Sequence, residues 1–154
     1  MAERERAPRL PPRWFIRLFW FAHRGVCRVS RGRLGLWTPK ENRWGTLRLT
    51  TTGRRTGAPR QVVVAYLEDG ADLVTLAMNG WADAEPSWWL NLLARPEAQV
   101  EMGGAPRPVP VLASAAEAGE RARLWARWHE VDPRLDAHAA LRSSETAVVV
   151  LRPR

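Results

Sequence analysis

The sequence has one cysteine, Cys27, in 154 residues. An intramolecular disulfide is therefore excluded and no cysteine-based metal cluster is available, which suits a reducing cytoplasm. Lysine is equally rare, since Lys40 is the one lysine among 24 basic residues. With alanine so plentiful, this reads as the imprint of a GC-rich coding sequence, which weakens any functional argument from arginine over lysine. No acidic residue stands between Arg6 and Lys40. No apolar run predicts a bilayer span, because Arg17 breaks the one candidate and what remains is too short. A secretory leader is not expected either, since no small-residue cleavage site follows that run. Internal repeats, zinc-ligand spacing and a Walker-type Gly-Lys-Ser/Thr ending are all missing.

What is present predicts a globular chain. Hydrophobic residues make up 45%, too many for general disorder, and the length suits one domain with one core. The charge is uneven. Residues 1–60 carry fifteen basic residues against three acidic ones, a net +12, and the remainder carries nine against thirteen, a net −4. Nucleic acid, an anionic membrane surface or an anionic cofactor each accounts for such a field. Nucleic acid ranks last, because no recognisable binding motif accompanies it.

Residues 1–12 read as a flexible tail. From 13 to 31 the pattern predicts an amphipathic helix. Arg13, Arg17, Arg24, Arg28 and Arg31 fall within an arc of about 60°, opposite Trp14, Leu18, Phe21, Ala22, Val26 and Val29. Two readings follow: the apolar face docks on the domain, or it makes peripheral membrane contact. Docking is preferred, with membrane contact as a second role at the inner face of the cell membrane. Residues 32–45 predict an irregular connector, and 46–154 the main domain. Strands are expected over 46–51, 61–67, 73–78, 98–102, 108–112 and 147–151. Short helices are expected over 86–94 and 133–142, and a longer one to Val131 with Ser114 as its N-cap. Six short strands with helices inserted late predict an α+β fold, a small six-stranded antiparallel barrel with peripheral helices.

Two segments carry the functional signal. The first, Leu49 to Arg60, sets Gly53, Arg54, Arg55, Thr56, Gly57, Pro59 and Arg60 in a turn between two strands. Glycine there tolerates unusual backbone angles and proline fixes its own, while guanidinium forks suit phosphate or several carboxylates. A solvated basic turn is the competing reading. The second segment runs from Ala77 to Leu92. A strand ends, Met78-Asn79-Gly80 forms a loop, and a helix follows with Trp88 and Trp89 adjacent. The two are 100° apart on a helix, so one can face the core and the other a cleft, where an indole stacks a flat ligand.

In order, Thr51-Thr52-Gly53-Arg54-Arg55-Thr56-Gly57-Ala58-Pro59-Arg60, Tyr66-Leu67-Glu68-Asp69-Gly70, Met78-Asn79-Gly80 and Pro86-Ser87-Trp88-Trp89-Leu90-Asn91-Leu92 resemble the deazaflavin (F420)-dependent nitroreductase family. The resemblance runs from about residue 46 to 153. It implies a split β-barrel of the FMN-binding kind, coenzyme F420 as cofactor, and an enzyme that passes hydride to a planar, electron-poor acceptor. By position, Arg54, Arg55 and Arg60 would hold the cofactor's acidic tail, with Gly53, Thr56 and Gly57 shaping the turn. Val62, Val63, Val64, Ala77 and Met78 would line the ring, beside Asn79, Gly80 and Trp88.

The resemblance weakens after the long helix. Family members that activate nitroimidazoles carry three tyrosines there, and this chain has Asp132, Leu135 and His138 in their place. That separates the cofactor expectation from the substrate one. Asp132, Leu135 and His138, with Trp20 and Phe21 of the N-terminal helix, are the expected acceptor-pocket residues. His138 is the one catalytic candidate, since imidazole can protonate a product or orient a carbonyl. No metal is expected. Two alternatives remain: an FMN-dependent reductase, and a non-catalytic carrier of a lipid or other apolar ligand on the same barrel. The expected partner is a small-molecule hydride acceptor, and either a monomer or a homodimer fits.

Overall fold

The computed structural model describes residues 12–29, 35–105 and 107–154, without the side chains of 20 and 23–29. The tail over 1–11, the helix end at 30–31 and the side chains of Trp20, His23 and Cys27 lie outside the described residues. Six antiparallel strands close a barrel in the order β1-β2-β3-β6-β5-β4. They are β1 Gly45–Thr52, β2 Pro59–Asp69, β3 Asp72–Leu76, β4 Glu97–Met102, β5 Val109–Ala115 and β6 Val148–Pro153. Four helices surround it: α1 Arg13–Val29, α2 Ser87–Ala94, α3 Ala118–Val131 and α4 Leu135–Ala139. This is the α+β split barrel.

Strand alternation explains how the barrel fills. Leu47 and Leu49 of β1 pair with Val64 and Val62 of β2. Their side chains meet Tyr66, Leu73, Val100, Val111, Val149 and Leu151 in one interior cluster. Because side chains alternate across a strand, the neighbours point outward. Leu67, Val74, Leu76, Val148 and Val150 pack there against Leu124, Trp128 and Leu135 of α3 and α4. The unbroken apolar run at residues 62–67 therefore has a cause: β2 is covered on both faces. Leu36 of the connector packs on Val63, and Thr46 and Trp37 exchange backbone and side-chain hydrogen bonds that bind the connector to β1.

Two expectations are corrected. Ser114 does not cap α3. The strand β5 continues through it, its hydroxyl accepts from Arg152 Nη1 at 2.6 Å, and Glu117 sits at the cap without a side-chain bond. Trp88 and Trp89 are both buried, and of the two Trp88 alone also lines the cavity described below, so the expected division between core and cleft holds. Among the described side chains, the apolar face of α1 does not dock: Trp14 is 66% and Phe21 71% exposed, and Phe15 and Leu18 are exposed too. Among those side chains only Ile16 is partly covered, against Gly80.

Candidate functional site

A cavity of about 820 Å³ lies along β2. Its floor is Val62, Val63, Val64 and Ala65, continued by Leu76 of β3. At one end stands the basic turn, with Gly53, Arg54, Arg55, Thr56 and Arg60. The loop after β3 supplies Met78, Asn79, Gly80 and Trp81, and α2 supplies Ser87, Trp88 and Asn91. At the far end lie Trp128, Asp132 and Leu135, while Ile16, Arg17 and Trp44 approach from the N-terminal side.

The turn between β1 and β2 is rigid by construction. Gly53 N–H donates to Ala58 O at 2.8 Å and Gly57 N–H to Gly53 O at 2.7 Å. Gly57 adopts φ +73°, a conformation open to glycine at little cost. Asn91, buried on α2, locks the turn from behind. Its Oδ1 accepts from the Arg54 backbone N–H at 3.2 Å and from Arg54 Nη1 at 3.1 Å, and its Nδ2 donates to Thr51 Oγ1 at 3.1 Å. Arg54 is thereby held in place. Arg55 and Arg60 are exposed and, among the described residues, neither is paired with an acid. Two guanidinium groups at a cavity mouth without counter-charge favour a polyanionic ligand.

The loop after β3 is held by one buried side chain. Arg142 has no exposed side-chain surface. Its Nη1 donates to Ala77 O at 3.1 Å and Thr146 Oγ1 at 2.8 Å, its Nε to Ala82 O at 3.0 Å, and its Nη2 to Glu85 Oε1 at 2.9 Å. The carbonyls of Ala77 and Ala82 flank the four residues that face the cavity, so one guanidinium fixes both ends of that loop. Ser143 N–H adds a 2.6 Å bond to Asp83 Oδ1, and this bond holds the Asp83 carboxyl below its usual range.

Several expected site residues lie elsewhere. Ala77 has its side chain in the barrel core. Gly57 borders a second, smaller depression instead. Phe21 points to solvent. His138 does not line the cavity. It stacks behind Trp81, ring centroids 5.9 Å apart at 15°, with Nδ1 3.4 Å from Asp132 Oδ2. Conversely, Asn91, Trp44, Trp81, Trp128, Ile16 and Arg17 line the cavity without having been expected there. Asn91 stood within a quoted motif, and its buried position on an otherwise apolar helix was the signal to read. Among the described residues no cluster of His, Cys, Asp or Glu could hold a metal ion, and no helix is long and apolar enough to cross a membrane.

Comparison with known proteins gives one family. The family model for F420H(2)-dependent quinone reductases matches residues 23–153. An F420H(2)-dependent quinone reductase of Mycobacterium tuberculosis is 31% identical over 105 residues, 67% of this chain and 68% of that protein. A solved F420-H2 dependent reductase is 25% identical, with a TM-score of 0.62 over 70% of this chain and 93% of that one. A chain solved as a domain-swapped dimer, 22% identical, shares the fold with a TM-score of 0.66 over 88% of this chain and 99% of its own. These findings support F420 and give the FMN alternative no support. A family match that takes in the whole barrel and α2 to α4 settles the class of the molecule: the chain belongs to the F420H(2)-dependent quinone reductase family and is an oxidoreductase.

Proposed function

We propose that this protein binds F420H2 along the β2 cavity and transfers hydride to a planar, electron-poor acceptor, a quinone first of all. One observation carries the reading: the uncompensated guanidinium groups of Arg55 and Arg60 open onto the same cavity as an apolar floor and aromatic walls. A cofactor with a polyanionic tail and a flat ring matches that polarity from end to end. A lipid carrier would leave the two arginines without purpose, so the catalytic reading is preferred.

The residues divide the work by position. Arg54, fixed by Asn91, and the free Arg55 and Arg60 would hold the acidic tail, with Gly53 and Thr56 shaping its turn. Val62, Val63, Val64, Met78, Asn79, Gly80 and Trp88 would wall the ring. Asp132 and Leu135 close the far end, where the acceptor would lie. When bound, F420H2 supplies a hydride, two electrons with one proton, and a further proton from water completes the reduced acceptor. The chain positions donor and acceptor and excludes competing water by its apolar walls, with Ile16 closing over Gly80. His138 lies behind Trp81 and is assigned no proton transfer. The exposed aromatic face of α1, next to Arg13 and Arg17, supports peripheral contact of this cytoplasmic enzyme with an anionic membrane.

The test is titration of the purified protein with oxidised F420 and with FMN, followed by fluorescence. Micromolar F420 binding, weakened at least tenfold in Arg55→Glu and in Arg60→Glu, is expected; undetectable F420 binding by the unmodified protein overturns the reading.

A further inference from the structure

The cavity contains one backbone outlier. Trp81 adopts φ +60° directly after Gly80 at +57°. Glycine takes this conformation freely, but a bulky side chain rarely does. A tryptophan kept in a left-handed conformation must be held there by its surroundings, and such residues gather at ligand sites. Trp81 is so held. Arg142 fixes the carbonyls on both sides of its loop, and His138 supports the rear face of the indole as a stacked ring at 15°. Asp132 Oδ2 lies 3.4 Å from His138 Nδ1, a neighbour at the edge of the supporting ring rather than a hydrogen-bond partner. Trp81 itself lines the cavity at the end where Trp128, Asp132 and Leu135 also stand.

We propose that Trp81 is the specificity-determining residue for the acceptor: a preorganised flat wall on which the acceptor's rings stack, with His138 as the positioning residue behind it. The inference rests on the proposed function. It assigns His138 a supporting rather than a chemical role, and explains how the far end of the cavity selects flat acceptors without the aromatic residues expected at 132, 135 and 138. Stacking gains with overlap area, so the wall favours two-ring quinones over one-ring ones.

The experiment measures kcat/KM with F420H2 for menadione (two rings) and tetramethyl-1,4-benzoquinone (one ring), together with the F420 dissociation constant. In Trp81→Leu, menadione should lose about tenfold and the one-ring quinone no more than about threefold, given a stacking contribution of the usual size. F420 affinity should stay within about threefold. His138→Ala should lower the menadione preference in the same direction, and His138→Phe, which restores a flat ring, should recover it; a proton-donating histidine would be lost in both. Equal losses for the two quinones, or no loss, overturn the proposal, as does failure of His138→Phe to recover the preference. Should Trp81→Leu not fold, Trp81→Phe decides by the same ratio, with an intermediate preference expected and an unchanged one refuting. If the unmodified protein binds no F420, the proposed function fails and this inference with it; F420 binding with unchanged acceptor ratios defeats the inference alone.

Discussion

Replacing Arg142 by Met tests whether one buried guanidinium organises the ligand-facing loop. The side chain makes four bonds to protein acceptors: two backbone carbonyls, the Thr146 hydroxyl and the Glu85 carboxylate. Three neutral acceptors at about 1 kcal/mol each, and a charge-assisted bond at about 1.5 kcal/mol after screening, give a gross loss of roughly 4 to 5 kcal/mol. Methionine is spared the cost of burying a charge, which offsets about 1 to 2 kcal/mol. A net destabilisation of about 3 kcal/mol is expected, or about 6 to 12 °C in Tm for a chain of this size. Urea unfolding followed by circular dichroism measures it. Arg142→Lys keeps the charge but has too few donors for four acceptors, so it should fall in between. F420 affinity should drop about tenfold in Arg142→Met well below its Tm, because the carbonyls flanking Met78–Trp81 lose their common anchor. A variant within about 0.5 kcal/mol of the unmodified protein, with unchanged F420 affinity, would refute this reasoning.

Tyr66 supplies a pH prediction. Its hydroxyl is buried in the barrel without a hydrogen-bond partner among the described residues, and burial, with a smaller contribution from Glu68, pushes its pKa up to about 12. A raised pKa means the folded state favours the protonated phenol. Its stability contribution is therefore complete below about pH 10 and is lost as pH rises through about 12. Relative to Tyr66→Phe, the unmodified protein should lose stability over that window and match or trail the variant by about 1 kcal/mol at pH 8. Parallel urea midpoints at every pH would contradict this. For α1, removal of residues 1–31 should cut partitioning onto vesicles of anionic lipid at least fivefold, and unchanged partitioning would dismiss membrane contact.

How much of this was legible beforehand depends on the range of the interactions. The turn at 53–60 announced itself because glycine and proline act on the backbone locally, and the apolar alternation of the strands follows from their burial. All six strands were expected, with ends displaced by a few residues. Ser114 misled because a serine ahead of a helix has the chemistry of a cap, whereas its partner, Arg152, lies 38 residues away. Arg142 gave no local sign, since its acceptors at Ala77 and Ala82 are 65 and 60 residues distant. Trp81 was hidden for another reason: left-handed backbone is foreshadowed by glycine or asparagine, and here it falls on an aromatic. The described side chains of α1 show the reverse failure, where an apolar stripe predicted docking and Trp14, Phe15, Leu18 and Phe21 stand exposed.

The barrel interior is packed with Leu47, Leu49, Tyr66, Val100, Val111 and their neighbours, and the ligand cavity runs along β2 to the loop after β3, α3 and α4 at the barrel's periphery. A lipocalin-like barrel holds its cargo inside, so that the residues shaping the site are those of the strands themselves. Here a loop or helix can swing aside while every ladder bond stays intact. Amide exchange should therefore separate into two populations: strand amides released only by global unfolding, and amides of the outer wall opening on their own schedule. Selection can then reshape the acceptor end through α4 and the Trp81 loop without endangering the scaffold. Divergence of substrate within such a family becomes a matter of furnishing one exterior wall.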